Sequence, residues 1–204
     1  MTALRENLEI KARVFDVDAV RDAAKAIATE HVGIMWQRDT YFESREGRLK
    51  LREIRWENKG DQDPDSVSDS AELIWYLRAN NEKTTPSRYR IMTVDDPVGM
   101  IMALDSAIGV RDVVEKRREV FLHKNVRIHL DEVKELGHFM ELEAVQPDKS
   151  GMSTATWDKE SKPGVQLGLL DWIMDRLGVE RDHLLATSYI DLLASESSAS
   201  DSCD

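Results

Sequence analysis

The chain has 204 residues, enough for one full hydrophobic core or two very small ones. Its 41% hydrophobic and 33% charged content is that of a soluble globular protein, with no apolar run long enough to span a bilayer and no signal-peptide pattern, so the cytoplasm is the expected location. A net charge of −11 argues against nucleic-acid binding by bulk attraction, and the lone Cys203 excludes an intrachain disulfide or a cysteine-based metal site.

The first predicted element is a strand from about Asn7 to Val14, where polar and apolar residues alternate with a period of two. Asp16 or Asp18 then caps a helix through Ala19, Ala23, Ala24 and Ile27, ending near Gly33. Strands follow at about Met35–Phe42 and Arg48–Arg55, joined by the turn Arg45-Glu46-Gly47. The polar, acidic stretch 57–70 reads as a mobile loop between hairpin strands. Further strands are expected at Ala71–Arg78 and Ser87–Val94. Asp95-Asp96-Pro97 opens a second helix that runs to about Ile108 and stops at Gly109. Arg111–Leu122 and Asn125–Val133 form a hairpin, and Phe139–Val145 is the last strand. A polar loop over 146–163 leads to a helix at about Gly164–Leu177, and a short helix is expected within His183–Leu193. Residues 1–194 form a single domain in this reading. Residues 195–204 form a disordered, Ser-rich acidic tail, and no internal repeat is evident.

Eight strands with mostly hairpin-sized linkers make a mainly antiparallel sheet. Each strand has one apolar parity (Leu8/Ile10/Ala12, Leu49/Leu51, Leu73/Trp75/Leu77, Val126/Ile128/Leu130, Met140/Leu142) and one charged parity. The economical fold is α+β: a closed eight-stranded β-barrel, a tunnel, with a charged lumen and helices packed outside.

The charged parity divides into two sets. Glu9, Glu141 and Glu143, with Asp131 nearby, are hard oxygen ligands that favour Mg²⁺ or Mn²⁺ over zinc. Lys11, Arg13, Arg48, Lys50, Arg52, Arg78, Arg88, Lys116, Arg118 and Arg127 suit phosphate oxygens. Taken singly, each such strand reads as a solvated face. Several together in one acidic protein read as a focused anion pocket. His129 lies between Arg127 and Asp131, where a structural hydrogen-bonding role outweighs a proton relay.

The stretches Asn7–Arg13, Gln37–Phe42, Gly47–Glu53, Leu73–Arg78, Lys116–Arg118, Leu130–Val133, Leu136-Gly137, Glu141–Glu143 and Ser188–Leu193 resemble the CYTH superfamily, the triphosphate tunnel metalloenzymes, especially its class IV adenylate cyclase-like branch. The resemblance implies an eight-stranded tunnel whose basic residues bind a triphosphate (ATP, thiamine triphosphate or inorganic triphosphate) and whose acidic residues hold Mg²⁺ or Mn²⁺. It implies adenylate cyclase or triphosphatase chemistry with Lys11, Arg118 and Asp131 as the catalytic set, and a possible homodimer. The family's Glu-x-Glu-x-Lys signature begins here with Asn7, which removes one negative charge. A non-catalytic phosphate or nucleotide sensor is therefore the alternative, and an adaptor barrel for a phosphopeptide is a third reading.

Overall fold

The structure is a computed structural model that describes residues 5–63, 67–77, 85–145 and 163–200. Its elements in chain order are β1 (Arg5–Arg13), α1 (Val17–Ile27), β2 (Glu30–Phe42), β3 (Arg48–Asn58), β4 (Ser70–Leu77), β5 (Thr85–Thr93), α2 (Pro97–Ile108), β6 (Val110–His123), β7 (Val126–Val133), β8 (Gly137–Val145), α3 (Pro163–Leu177), a 3₁₀ turn (Arg181–His183) and α4 (Tyr189–Ser200). The strands close into a barrel in the order β1-β5-β4-β3-β2-β6-β7-β8, and every neighbouring pair is antiparallel.

Local chemistry sets the boundaries. Asp16 caps α1 by accepting from the Ala19 N–H at 3.0 Å, and Asp96 caps α2 by accepting from the Gly99 N–H at 2.9 Å. Pro97 sits in the first turn of α2, where its missing N–H costs nothing, and Gly109 ends the helix at φ 86°. The β2–β3 turn needs Gly47 at φ 71°, and an added Cβ there would lie 2.6 Å from the Tyr76 carbonyl oxygen.

Three differences from the sequence expectation stand out. Strand β2 starts five residues early, because α1 ends at Ile27 and the chain re-enters the sheet through a bulge between His31 and Gly33. Strand β3 runs to Asn58, so the expected loop at 57–70 is shorter; its residues 64–66 lie outside the described residues, as do 146–162 of the later loop. Helix α4 continues through Ser200 into the segment expected to lack structure, and residues 201–204 lie outside the described set.

A repeat absent from the sequence is present in the topology. Exchanging β1-α1-β2-β3-β4 with β5-α2-β6-β7-β8 preserves the set of strand pairings, with β1–β5 and β2–β6 mapping onto themselves. The two helix caps share nearly the same backbone angles, φ −119° at Asp16 and −118° at Asp96.

The apolar parity faces outward under the helices. Helices α1 and α3 cover β1, β8, β7 and part of β6 through Ile10, Ile128, Leu142, Leu170 and Ile173, while α2 lies over Phe42, Leu51, Ala71 and Val94. Truncating a fully buried Leu142 or Ile173 to Ala costs about 2–5 kcal/mol. A third cluster lies on the lumen side: Tyr189 and Ile190 at the start of α4 pack on Tyr41, Val114, Val133 and Phe139. No helix among the described residues is long and apolar enough to cross a membrane.

Candidate active site in the barrel lumen

Because the side-chain period of a strand is two, the outward apolar parity forces the charged parity into the lumen. There β1 presents Asn7, Glu9 and Lys11; β8 presents Glu141 and Glu143; β6 presents Lys116 and Arg118. Strand β2 adds Asp39 and Tyr41, β3 adds Lys50 and Arg52, and β7 adds His129 and Asp131. With Tyr76, Tyr89, Ser188 and Tyr189 they enclose a cavity of about 150 Å³. All four tyrosines of the chain line it.

Three networks hold these groups. In the first, Asp39 accepts from Lys50 Nζ and from Arg52 Nε and Nη2, each at 2.7 Å. Burial pushes the Asp39 carboxyl up, yet the charges of Arg52 and Lys50 outweigh it and hold the group well below the usual carboxylate range. Burial and the neighbouring Arg52 lower the Lys50 ammonium to about 7, against the pull of Asp39. Lys50 Nζ also lies 3.5 Å from the Tyr41 hydroxyl.

In the second network, Arg118 forms a bidentate pair with Asp131, both bonds at 2.6 Å, and also bonds Glu141. Lys11 Nζ lies 2.9 Å from Glu141 and 3.5 Å from the ring centre of Tyr189, whose hydroxyl donates to Asp131 at 2.8 Å. Burial raises the Asp131 carboxyl, but Arg118 and Lys116 hold it at about 2. Burial and Arg118 lower the Lys116 ammonium to about 8.

In the third network, Asn7 Nδ2 donates to Glu143 Oε1 at 2.6 Å, and Arg127 reaches the other oxygen at 3.4 Å. Glu9 and Glu143 are direct cross-strand partners. Asn7 is 7% exposed and its Oδ1 has no hydrogen-bond partner.

The lumen is thus formally balanced. Five cations (Lys11, Lys50, Arg52, Lys116, Arg118) face five carboxylates (Glu9, Asp39, Asp131, Glu141, Glu143), where the sequence suggested a basic tunnel. A wider mouth of about 1200 Å³ opens beside this cavity, and Lys116 lines both.

The predicted site residues divide accordingly. Lys11, Lys50, Arg52, Lys116, Arg118, Asp131, Glu9, Glu141 and Glu143 share the lumen. Arg127 is half-exposed at its rim. Arg13 donates to the Leu136 carbonyl at 3.0 Å and stacks over Phe139. Arg48 is committed to Asp191 of α4, which also binds Arg111 at 3.1 Å and Ser188 at 2.7 Å. Arg88 is a correction: it is exposed on the outer parity of β5, because Tyr89 and Ile91 take the lumen side. Arg78 lies outside the described residues. The carboxylates Glu9, Glu141 and Glu143 do not converge as a ready three-ligand cluster; Glu180, Asp182 and His183, at the surface, are the described acidic and histidine residues that do.

Sequence reasoning passed over Asp39, Tyr41, Tyr76, Tyr89, Tyr189 and Asp191. The alternation Gln37-x-Asp39-x-Tyr41 was the available signal for two of them. A match to the CYTH domain runs over residues 5–165. The chain belongs to the CYTH domain family. Among solved structures, the chain is similar to PH1012 protein of Pyrococcus horikoshii OT3, with 21% identity, a TM-score of 0.70, and 91% of this chain and 98% of that one covered. A candidate adenylate cyclase of Vibrio parahaemolyticus gives 16% identity and a TM-score of 0.61 over 93% and 98% of the two chains. The adenylyl cyclase candidate HpAC1 of Hippeastrum, for which a dominant triphosphatase activity is described, gives 14% and 0.59 over 93% and 96%. At these identities the likeness is one of fold. No curated protein matches the chain. The lumen holds the densest buried charge among the described residues.

Proposed function

We propose that this CYTH protein is a metal-dependent triphosphate-processing enzyme that binds the phosphate chain of ATP, thiamine triphosphate or inorganic triphosphate in the lumen, with phosphoryl transfer to water ahead of cyclisation. The observation that carries the proposal is the buried set of five cations around a cavity of about 150 Å³, a volume on the scale of a phosphate chain. The Hippeastrum relative's triphosphatase activity agrees with it.

A balanced lumen favours a ligand that carries its own counter-charge. Phosphate oxygens would meet Lys11, Lys116 and Arg52 in the cavity, and carboxylates outside those ion pairs would hold a divalent cation. Glu9, Glu143 and the unpartnered Asn7 Oδ1 offer hard oxygens on adjacent strands, and that set fits one Mg²⁺ or Mn²⁺. Glu141, held by Lys11 and Arg118, is the weaker ligand. Bound there, the ion supplies Lewis-acid polarisation of a phosphoryl oxygen.

The chain's own residues do the rest. Lys11, Lys116 and Arg118 stabilise charge developing on the transferred group. Lys50, whose ammonium is held below its ordinary value by burial and by Arg52, gives a proton from Nζ to the leaving oxygen. Asp131, at about 2, is too weak a base for that work and instead anchors Arg118.

Incubation with each triphosphate in Mg²⁺ and Mn²⁺, reading phosphate and cyclic nucleotide, tests the proposal. Absence of both product and calorimetric binding for all three would end it. Asn7 favours a second reading, a sensor with a weakened metal site. That reading predicts micromolar binding without turnover.

A further inference from the structure

Two of the lumen cations owe their placement to a residue outside the barrel strands. Tyr189 opens α4, is 4% exposed and reaches the cavity beside Ser188. The centre of its ring lies 3.5 Å from Lys11 Nζ and 5.1 Å from Lys116 Nζ. Both distances fall within the reach of a cation–π attraction. The two lysines stand on β1 and β6, which are not neighbours in the barrel, so strand pairing alone does not tie them together. The Tyr189 hydroxyl donates to Asp131 at 2.8 Å, and Phe139 meets the ring edge-on with centres 5.0 Å apart, contacts that set the plane of the ring.

A ring face and a carboxylate hold an ammonium in different ways. A carboxylate accepts its N–H groups, and a phosphate oxygen must then compete for them. A ring face attracts the charge as a whole and leaves the three N–H donors to other acceptors. Tyr189 therefore places Lys11 and Lys116 without competing for the groups that a phosphate would use. The same segment also grips the Lys11 backbone. The Leu185 N–H donates to the Lys11 carbonyl at 2.9 Å, and Leu184 pairs with Ala12. Farther along α4, Asp191 anchors the helix on Arg48 and Arg111. Docking of α4 and seating of two lumen cations are thus one event.

We propose that Tyr189 is a positioning residue of the phosphate site, acting through Lys11 and Lys116, and that a triphosphate and α4 therefore bind the barrel cooperatively. The proposal rests on the triphosphate reading above and adds its coupling to the C-terminal helix. A ligand that engages both ammonium groups favours the docked state, in which the ring seats them. By reciprocity, loosening α4 costs the ligand affinity.

The test combines calorimetry of inorganic triphosphate in Mn²⁺ with amide exchange across 189–200, on the wild type, Tyr189→Phe, Tyr189→Leu and Asp191→Ala. Phenylalanine keeps the ring, and leucine keeps apolar bulk against Val114, Val133 and Phe139. Asp191→Ala loosens α4 from a residue that does not line the cavity. Triphosphate should slow exchange across 189–200 in the wild type. Tyr189→Leu should weaken triphosphate on the order of 10-fold and abolish that slowing, whereas Tyr189→Phe should stay near the wild type. Asp191→Ala should also weaken binding, and saturating triphosphate should bring its exchange back toward the wild-type rate. Wild-type affinity in Tyr189→Leu, or a loss in Tyr189→Phe as large as in Tyr189→Leu, overturns the proposal. If leucine undocks α4, the decision falls to Asp191→Ala, where unchanged affinity overturns it equally. A wild type that binds no triphosphate ends the reading above as well; one that binds it with every variant unaffected ends this inference alone.

Discussion

Arg118 and Asp131 form a planar, two-bond pair in the lumen, each bond 2.6 Å long and both residues almost fully buried. In this geometry the guanidinium cannot turn toward a ligand without breaking a bond, so the pair fixes one cation while Lys11 and Lys116 remain adjustable. Removing one partner leaves the other charged and uncompensated. Asp131→Ala should therefore lower unfolding stability by about 3–5 kcal/mol in urea titrations. A double variant, Arg118→Met with Asp131→Leu, should recover much of that loss.

Lys116 lines both cavities and is paired loosely, with Asp131 at 3.5 Å. Lys116→Ala should remove a charge-assisted contact of about 1.5–3 kcal/mol, lowering affinity for inorganic triphosphate roughly 10- to 100-fold by calorimetry with little change in melting temperature. Unchanged affinity would place the triphosphate elsewhere.

Lys50 predicts a pH effect whose sign is fixed. Its ammonium falls to about 7 in the folded protein from an ordinary value of 10.5, so the unfolded chain binds the extra proton between those limits. Stability contributed by this group therefore rises as pH increases from about 7 towards 10, and Lys116, at about 8, adds to the same slope. The urea midpoint of the wild type should rise between pH 7 and 9, and Lys50→Met should flatten that rise. With Lys50 giving its proton to the leaving oxygen, turnover should move the other way, falling above about pH 7 in the wild type.

Asp191 joins α4 to the barrel through Arg48, Arg111 and Ser188. Burial pushes its carboxyl up, but hydrogen bonds from Ser188 and Arg48 hold it below the usual value. Its contribution is therefore present at neutral pH and lost as pH falls through the folded value. Asp191→Ala should speed amide exchange across 189–200 at pH 7, and the difference from wild type should shrink in acid.

Divalent ions should raise the melting temperature by mass action, more so with triphosphate present, and a chelator should reverse the shift. Glu143→Ala should abolish the response. Asn7→Glu restores a carboxylate beside Glu143, and Mn²⁺ affinity by calorimetry should increase. Weaker binding in that variant would remove Asn7 and Glu143 from the ligand set.

The sequence by itself determined the barrel and which residues share a face. Alternation in Leu8-Glu9-Ile10-Lys11 or Leu49-Lys50-Leu51-Arg52 allows one burial solution, because a strand turns its side chains alternately and only one parity is apolar. The same rule failed at Arg88: on β5 the parity of Tyr89 and Ile91 faces the lumen and that of Arg88 and Arg90 faces out, a choice set by pairing with the neighbouring strands. Pairing across the lumen was beyond reach for a different reason. Arg118 meets Asp131 and Glu141, and Lys50 and Arg52 converge on Asp39, through strand register and closure. Both depend on contacts between residues distant in the chain. Likewise, Tyr189 and Asp191 lie outside the strand pattern, and their entry into the lumen follows from how α4 docks against Val114, Val133 and Phe139. Which residues share a face is a local property of the chain; which face turns inward, which charges neutralise one another and which atom is left without a partner are properties of the closed barrel.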